Sequence, residues 1–430
     1  MGWLAVVILL YTNLFPNSEN PNYGIFVYRR AQELSRIAGH SVHVIAPVPY
    51  FPRWLRIPRR LQAIPRLSRW LRMSRIPSKE MYGQLNVYHP RYFLVPAISA
   101  PFHGFLMFLG SLFLVRRLHA KLQFDCIDGH FVYPDGFAAI LIGKLLRLPV
   151  AVTAHGTDLN VYPQSLFLRP LIRWTLSRAD RVICVSRALR AIVSRLREAN
   201  YGAVMIPNGV DLNSFCPIDR GAARLALGLS PLAEIIVAVA QLIPRKGHQS
   251  LIQAVAKLRK EFPRLQVFII GEGYLEEVLR REISALDVER HVFLKGPIKN
   301  NELFRWYSAA DVTCLPSSGE GMPCALLESL ACGTPVVATA VGGTPELIDS
   351  EELGVLVQQD VFSISRGLAK ALRTTWSRTA LTSRTRGYTW TRTTLEIEKV
   401  LADLVKLNQS GQHGINTTKP IKPYVADITL

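Results

Sequence analysis

The chain alternates short β-rich apolar runs with amphipathic helical runs, and it does so twice. Helical patterns such as GIFVYRRAQELSRIAG and SLIQAVAKLRKEF separate the apolar runs. Because neighbouring parallel strands need a crossover connection, the alternation predicts an α/β fold with parallel, doubly wound sheets. The predicted strands lie near 3–10, 41–47, 124–128, 149–154, 181–185 and 203–206, then near 234–240, 265–270, 291–295, 312–315 and 335–338.

Two Rossmann-like domains follow from this repetition, because 430 residues exceed the usual size of one core. The turn-rich stretch IPNGVDLNSFCP separates them, so the expected domains are 1–207 and 208–387. The pattern of 388–407 predicts a helix, which we expect to pack back on the first domain. The polar tail 408–430 has no periodicity and is expected to be flexible.

Positive charge is concentrated in the first half. Residues 1–207 hold 26 Lys and Arg against 9 Asp and Glu, whereas 208–430 hold 25 against 23. The segment 53–79 has eight Arg, one Lys and no acid, with Trp54 and Trp70 as interfacial anchors. This composition favours an anionic membrane surface over a solvated basic loop. Nucleic acid is disfavoured because no RNA- or DNA-binding motif accompanies the segment.

Two apolar stretches could be mistaken for targeting or spanning segments. The start, MGWLAVVILLYTNLFPN, lacks a basic n-region, so it predicts a buried first strand rather than a secretory signal. Residues 93–115 carry no charge, but two prolines and a glycine interrupt them. They predict a buried or membrane-facing helix that ends at Arg116 and Arg117.

The six cysteines contain no C-x-x-C pair, and most lie in apolar runs. They are expected to be buried reduced thiols in a reducing compartment, with no support for a disulfide framework or a zinc site.

Three strand–loop–helix passages in the second half suit a phosphate ligand. In VAVAQLIPRKGHQSLIQAVAKL, Arg245 and Lys246 precede Gly247 at a helix entry, where free amides and cations favour a diphosphate. FIIGEGYLEEVL repeats the arrangement with Gly271 and Gly273, although a tight turn explains this pair equally well.

The third passage, PSSGEGMPCALLESLACG, holds two carboxylates eight residues apart. Pro323 suits a first helical turn, with Glu320 in the loop before it and Glu328 one to two turns into the helix. The pair can contact different parts of one elongated ligand. Alternatively, Glu320 is a helix-dipole partner and Glu328 a solvated residue, and the spacing leaves both readings open.

Together, the motifs resemble those of retaining glycosyltransferases of family 4. IPNGVD, AQLIPRKGH, IIGEG, HVFLKGPI, YSAADV, SGEGMPCALLESLACGTPVVAT and VGGTPEL occur in the order typical of that family. The first half, with NPNYGIFVYRRAQEL, DGHFVYPDGFAAILIGKLL and VTAHGTDLN, looks most like teichuronic-acid-type polysaccharide glycosyltransferases. The resemblance implies the GT-B fold, with two facing Rossmann-like domains.

The resemblance also implies residue roles. Glu320 would contact the hydroxyls of the donor sugar, Glu328 the nucleotide ribose, and Lys246 the diphosphate. His155 would hydrogen-bond the sugar near the reacting carbon, with Asp158 beside it.

The remaining implied donor contacts are mostly backbone groups. The base would meet the chain around Pro297 and Ile298, the phosphate would face the amides near the helix start, and Gly24 would let ligands approach closely. These donor-binding positions are Gly24, Gln241, Arg245, Gly273, Ile298, Gly321, Met322, Cys324 and Ala325. Gln241 stands where many family members have Arg, so Arg245 is the candidate replacement. His130 is an acceptor-side possibility only.

The resemblance implies retention by a front-face route, without a metal or other cofactor and with a UDP-sugar as the expected donor. The expected acceptor is a polyprenyl-diphosphate-linked saccharide, used by a peripheral protein on the cytoplasmic face of the membrane. Two alternatives remain: a nucleotide-sugar epimerase of the same fold, or a non-catalytic membrane-associated partner. A glycosidase is disfavoured because basic, glycine-rich turns surround the carboxylates.

Overall fold

The computed structural model describes residues 5–37, 39–50, 73–94, 100–196 and 203–410. The chain divides into two compact units: Met1–Pro207 with Thr393–Leu430, and Asn208–Arg392. The division falls within the turn-rich stretch singled out from the sequence. Most of the basic segment, residues 53–72, and the tail from 411 lie outside the described residues.

The described part of the first unit contains the strands β1 (Val7–Tyr11), β2 (Ser41–Ile45), β3 (Val48–Tyr50), β4 (Lys79–Tyr82), β5 (Leu85–Tyr88), β6 (Arg91–Phe93), β7 (Cys126–His130), β8 (Val150–Ala154), β9 (Arg181–Cys184) and β10 (Ala203–Met205). Eight of them form one sheet with the order β10-β9-β8-β7-β1-β2-β5-β4, and β3 and β6 form a separate parallel pair. All neighbours in the large sheet are parallel except β4 and β5, an edge hairpin that the alternating pattern does not predict. Gly83, with a φ of +56°, makes its tight turn possible.

Helices cover this sheet because their apolar residues recur every three to four positions. In the first helix, for example, Val27, Ala31 and Leu34 are buried. The helices are α1 (Ile25–Ile37), α2 (His103–Leu122), α3 (Phe137–Leu146), α4 (Thr157–Asn160), α5 (Leu168–Arg178) and α6 (Arg187–Leu196). Short turns occupy Ala100–Phe102, Val132–Gly136 and Tyr162–Gln164.

Helix α2 differs from its expected form in length. It continues past Arg116 and Arg117 to Leu122, because Val115 packs inward and the basic residues extend the helix on its exposed side. Among the residues that the structure describes, no helix has both the length and the apolar character needed to cross a membrane.

The strands of the second unit are β11 (Glu234–Val239), β12 (Leu265–Ile270), β13 (Val292–Gly296), β14 (Val312–Leu315), β15 (Val336–Thr339) and β16 (Gly354–Val357), the last of which the sequence pattern does not predict. They form a six-stranded parallel sheet with the order β13-β12-β11-β14-β15-β16. The strand order reverses direction between β11 and β14. In open parallel sheets, ligands bind beside such a switch point, at the carboxyl ends of the strands.

The helices of the second unit lie in the connections between its strands and pack on the sheet. Leu251, Ile252 and Val255 of the helix after β11 pack into a core with Ile236 and Val267. The helices are α7 (Arg220–Ala226), α8 (His248–Leu258), α9 (Glu276–Ala285), α10 (Leu303–Ala309), α11 (Cys324–Ala331), α12 (Thr344–Leu347), α13 (Val361–Arg373) and α14 (Arg378–Thr385), with short turns at Pro244–Lys246 and Asn300–Glu302.

The last helix, α15 (Trp390–Gln409), returns to the first unit. Its Ile397, Leu401 and Leu404 join the core that contains Ile8 and Leu10 of β1. The helix ends two residues later than its pattern suggested, so 408 and 409 are helical where a flexible tail was expected.

Candidate functional site

The switch point of the second unit brings two of the sequence-predicted loops together. Lys246 Nζ lies 2.5 Å from Glu320 Oε1, joining the loop after β11 to the loop after β14. Arg245 donates from its guanidinium to the Gly319 carbonyl (2.7 Å), while its own carbonyl accepts from the Ser318 amide (2.8 Å). Both expected cations therefore lie against the loop that precedes α11.

The pair formed by Lys246 and Glu320 is ionic despite its burial. The side chains are 15% and 8% exposed. Burial alone would raise the pKa of Glu320, but the charge and hydrogen bond of Lys246 outweigh it and the pKa is lowered. Lys246 thus holds Glu320 in its charged form, although the two residues are assigned to different parts of a ligand.

Glycines allow other segments to press closely on this loop. A Cβ atom on Gly342, whose φ is +55°, would lie 1.9 Å from the Glu320 carbonyl oxygen. The neighbouring Gly343 amide donates to the Gly321 carbonyl at 3.0 Å. A Cβ on Gly247 would likewise meet the Pro316 carbonyl oxygen at 2.0 Å. The glycines of the VGG and RKG motifs therefore set the position of Glu320.

Helix α11 begins directly after this loop. Pro323 precedes the helix in an extended conformation (ψ 98°) rather than occupying its first turn as expected. The amides of Cys324 and Ala325 lie in the first turn, where the helix's own ladder provides no acceptor. Met322 is buried, and its carbonyl accepts from Asn208 Nδ2 at 3.5 Å. The helix start is thus a fixed, positively polarised group beside Glu320 and Lys246.

Glu328 lies one turn into α11 at a half-buried position. Its Oε2 accepts from the Tyr307 hydroxyl at 2.9 Å and its Oε1 from Asn300 Nδ2 at 3.3 Å. Burial, followed by the charge of Glu328, raises the pKa of Tyr307 well above its ordinary value, so the hydroxyl keeps its proton and donates. The carboxylate is held by two side chains that the sequence did not single out, which differs from a freely solvated helix residue.

The remaining predicted positions of the second unit lie around the same sheet edge. Pro297 is exposed and Ile298 half-buried directly after β13, two residues before Asn300. The Gln241 side chain is exposed after β11.

Internal packing accounts for the glycines of the G-x-G motif. A Cβ on Gly271 would meet the Ala240 carbonyl oxygen at 2.0 Å, and one on Gly273 the Leu242 carbonyl oxygen at 2.3 Å. The chain itself therefore requires glycine at both positions, whatever they contact besides.

In the first unit, two histidines meet at the carboxyl ends of β7 and β8. His130 Nδ1 lies 2.9 Å from His155 Nε2, and His130 Nε2 lies 3.3 Å from Asp128 Oδ2. Asp128 in turn receives Arg30 from α1 at 2.9 and 3.0 Å. Sequence reasoning identified the two histidines, but it missed Asp128 and Arg30, which are distant from each other along the chain.

Asp158 organises the loop that carries His155. Its carboxylate accepts from the backbone amides of Val132 (2.9 Å), Gly156 (2.8 Å) and His155 (3.2 Å). Burial raises the pKa of Asp158, although these amide bonds oppose the rise. The side chain therefore acts on His155 through the backbone in this structure.

Gly24 lies just before α1, with a φ of +66°. A Cβ there would lie 2.3 Å from the Leu14 carbonyl oxygen, so the turn after β1 needs glycine for its own packing.

All six cysteines are free thiols. Cys216 is exposed, which corrects the expectation that each is buried, because it lies on the surface connection before α7. Within the described ranges, no cluster of three or more His, Cys, Asp or Glu side chains could hold a metal ion; metal independence stays a prediction.

Solved structures with the same architecture are known. A sucrose-phosphate synthase from Thermosynechococcus elongatus matches with a TM-score of 0.76 at 22% identity, covering 94% of this chain and 100% of that one. Anabaena HepE, solved in complex with UDP-glucose, matches with a TM-score of 0.62 at 18% identity, covering 95% and 98%. At these identities the likeness establishes the GT-B fold.

Sequence comparisons identify the family. The model described as Glycosyltransferase Family 4 matches residues 24–214, and that described as Glycosyl transferases group 1 matches 223–387. The Bacillus subtilis protein named as teichuronic acid biosynthesis glycosyltransferase TuaC is 28% identical over 80% of this chain and 84% of its own length. A D-inositol 3-phosphate glycosyltransferase of Actinosynnema mirum is 35% identical over 67% and 74%. The chain therefore belongs to the GT-B glycosyltransferases of family 4, enzymes of glycan biosynthesis.

Proposed function

We propose that this glycosyltransferase moves a sugar, with retention, from a UDP-sugar to a polyprenyl-diphosphate-linked saccharide. The observation that carries the donor assignment is the arrangement at α11: a helix start with cations on one side and two separately held carboxylates. Such a site can bind a ligand that has hydroxyls at both ends and negative charge between them. The complex of HepE with UDP-glucose, a protein of the same fold, supports the choice of donor.

Each group would bind a different part of the donor. Glu320 would accept from sugar hydroxyls and Glu328 from the ribose, while the α11 amides of Cys324 and Ala325 face the diphosphate. Lys246 can remain paired with Glu320 and still bind phosphate, because an ammonium group has three N–H donors.

The other proposed donor contacts complete this arrangement. Arg245 would supply the second cation, since it already contacts the loop before α11 and Gln241 carries no charge. The base would lie against Pro297 and Ile298, which follow β13.

The reaction we propose exchanges one bond at the anomeric carbon for another. The bond from C1 to the diphosphate oxygen breaks as the acceptor oxygen forms a bond to C1 on the same face. The acceptor's hydroxyl proton passes to the leaving diphosphate. The protein must then stabilise negative charge on phosphate and positive charge on the sugar, which cations, amides and carboxylates can do.

A thermal-shift screen tests the donor assignment. UDP and UDP-sugars should raise the unfolding temperature, because a ligand at 100 times its Kd stabilises a protein by about 2.7 kcal/mol. GDP- and ADP-sugars serve as the comparison. Stabilisation by another nucleotide alone would overturn the choice of UDP, and no stabilisation by any nucleotide would overturn the donor site. The anomeric configuration of the isolated product, read by NMR, tests retention.

Glu328→Gln should mainly weaken donor binding. The change removes the charge that the ribose hydroxyls donate to, in an interaction made equally in the ground and transition states, so KM for the donor should rise about tenfold. We expect kcat to stay within about twofold. Steady-state kinetics with varied donor measures both. The control Glu277→Gln, at an exposed position on α9, should change neither. An unchanged KM in Glu328→Gln would contradict the ribose assignment.

We also propose that α2 rests on an anionic membrane surface. One face of the helix is buried in the first unit and consists of Gly104, Met107, Ser111 and Val115. A second stripe, with the same spacing, is exposed to between 47% and 80%: Phe102, Phe105, Leu109 and Phe113. A helix that is apolar all round suits a buried or lipid-facing place.

The basic residues at the end of α2 favour an anionic lipid. Arg116, Arg117 and Lys121 are exposed directly after the apolar stripe, so the helix combines inserted side chains with cations at headgroup level. We therefore propose a peripheral position on the cytoplasmic face of the membrane, where a polyprenyl-linked acceptor would be available.

Vesicle flotation tests this surface. Phe113→Ser should lower binding to phosphatidylglycerol-containing vesicles about thirtyfold, because burying one Phe contributes about 2 kcal/mol. The matched control is Leu225→Ser, whose side chain is 82% exposed on the second unit against 80% for Phe113. Equal binding by the two variants, or wild-type binding that is no stronger than to phosphatidylcholine, would contradict the proposal.

A further inference from the structure

A buried polar chain runs from α1 to the loop after β8. Arg30 Nη2 donates to both oxygens of Asp128, and Arg30 Nη1 donates to Thr153 Oγ1 at 2.9 Å. Asp128 contacts His130, which contacts His155. Arg30 is 4% exposed, and Asp128 and His130 are completely buried. Groups buried this deeply hold their hydrogen bonds without competition from water.

The positions of the protons in this buried polar chain can be assigned by starting from Asp128. Burial alone would raise the pKa of Asp128, but Arg30 and His130 outweigh it, so the group is a carboxylate and can only accept. His130 Nε2 must therefore carry the proton. Burial lowers the pKa of both histidines, so each ring is neutral and has one N–H. His130 Nδ1 then accepts from His155 Nε2–H.

This assignment leaves a lone pair on His155 Nδ1. That atom is enclosed, and it has no hydrogen-bond partner among the residues the structure describes. Phe26 and Phe131 pack against the ring, with centroids 4.9 and 6.1 Å away, and limit its rotation. An enclosed acceptor is costly unless a donor meets it, and a phosphate oxygen cannot do so because it also only accepts.

We propose that Asp128 and His130 are positioning residues that fix His155 Nδ1 as a hydrogen-bond acceptor for a hydroxyl of the transferred sugar. This inference rests on the proposed function. A hydroxyl that donates to nitrogen leaves electron density on the sugar, which becomes positively charged as the C1–O bond breaks. The interaction therefore strengthens in the transition state and acts on kcat.

Asp128→Asn should reverse the direction of the hydrogen bonds that link residue 128, His130 and His155. Arg30 has only donors, so it would hold the amide oxygen and turn the amide nitrogen toward His130 Nε2. His130 would then donate from Nδ1 to His155 Nε2, and His155 would carry its proton on Nδ1. The volume of the side chain is unchanged, and carboxylate-to-amide exchange in the serine protease triad gives the same kind of tautomer reversal.

Two measurements on the full chain test the proposal. Asp128→Asn should lower kcat about tenfold or more with little change in donor KM. In selectively ¹⁵N-histidine-labelled protein, the Nδ1 resonance of His155, assigned by its loss in His155→Gln, should change from unprotonated to protonated. The control is Glu80→Gln, a carboxylate-to-amide change in a partly buried pair, where Glu80 Oε2 lies 2.8 Å from His89 Nε2. It should change neither kcat nor the His155 resonance.

The outcomes separate this inference from the proposed function. A large loss of kcat in His155→Gln, with wild-type kcat in Asp128→Asn, would overturn the positioning roles and leave the sugar transfer standing. Normal kcat in His155→Gln would instead remove His155 from the proposed mechanism. A protonated Nδ1 in the wild-type spectrum would overturn the inference whatever the kinetics.

Discussion

Replacement of Glu320 by glutamine is expected to lower kcat about a hundredfold while donor KM stays within about threefold. The carboxylate lies beside the start of α11 and is held in its charged form by Lys246. A charged acceptor on the sugar hydroxyls stabilises the positive charge that develops on the sugar, whereas a neutral amide does so weakly. The effect therefore falls on the transition state, and steady-state kinetics with saturating acceptor will show it.

A matched control for this variant is Glu289→Gln, at an exposed position after α9. It should retain wild-type kcat and KM. If Glu320→Gln changed donor KM alone, the residue would contribute uniform binding, and its assignment to the reacting sugar would be wrong.

Lys246→Met is expected to destabilise the protein by about 3 kcal/mol, in addition to weakening donor binding, because it leaves a buried carboxylate without its cation. The double variant Lys246→Met/Glu320→Gln removes both charges. It should be more stable than Lys246→Met alone, although one residue more has been changed. Urea-induced unfolding of the whole chain measures each free energy of unfolding.

The pH dependence of this loss has a definite sign. In the wild type the folded-state pKa of Glu320 is lowered, so the stability it contributes is present at neutral pH and is lost as pH falls through that pKa. Without Lys246, burial should raise the pKa of Glu320 above its unfolded value. The deficit of Lys246→Met should therefore be larger at about pH 7 than at about pH 5.

Lys257→Met, an exposed change on α8, provides the control and should show neither deficit nor pH dependence. Lys246→Met is expected to lower the free energy of unfolding. If adding Glu320→Gln does not reduce that loss, the 2.5 Å pair contributes little to stability in solution.

The sequence predicted the elements of the fold well where hydrophobic periodicity was strong. The strands that precede each motif, such as β11 and β14, lie within one or two residues of their predicted positions. It missed the pair β3 and β6, the hairpin of β4 and β5, and the strand β16. None of these strands is buried along its whole length, so each has a shorter apolar run in the sequence.

The candidate site was predictable only as far as local motifs reach. Lys246 and Glu320 were identified separately, but their ion pair depends on the adjacency of β11 and β14, which the sheet order determines. Asn300 and Tyr307, which hold Glu328, come from another turn and helix altogether. Asp128 and Arg30 meet across 98 residues of chain, and no spacing in the sequence indicates such a contact.

The most direct test of the central claim is transfer itself, measured with the donor that the thermal-shift screen identifies. The purified protein is incubated with that nucleotide sugar and a polyprenyl-diphosphate-linked saccharide. The mass of the lipid product is then measured by mass spectrometry. We predict a product heavier by one sugar residue, formed by the wild type and nearly absent with Glu320→Gln. Donor binding without any transfer to lipid-linked saccharides, or release of an epimerised nucleotide sugar instead, would contradict the account.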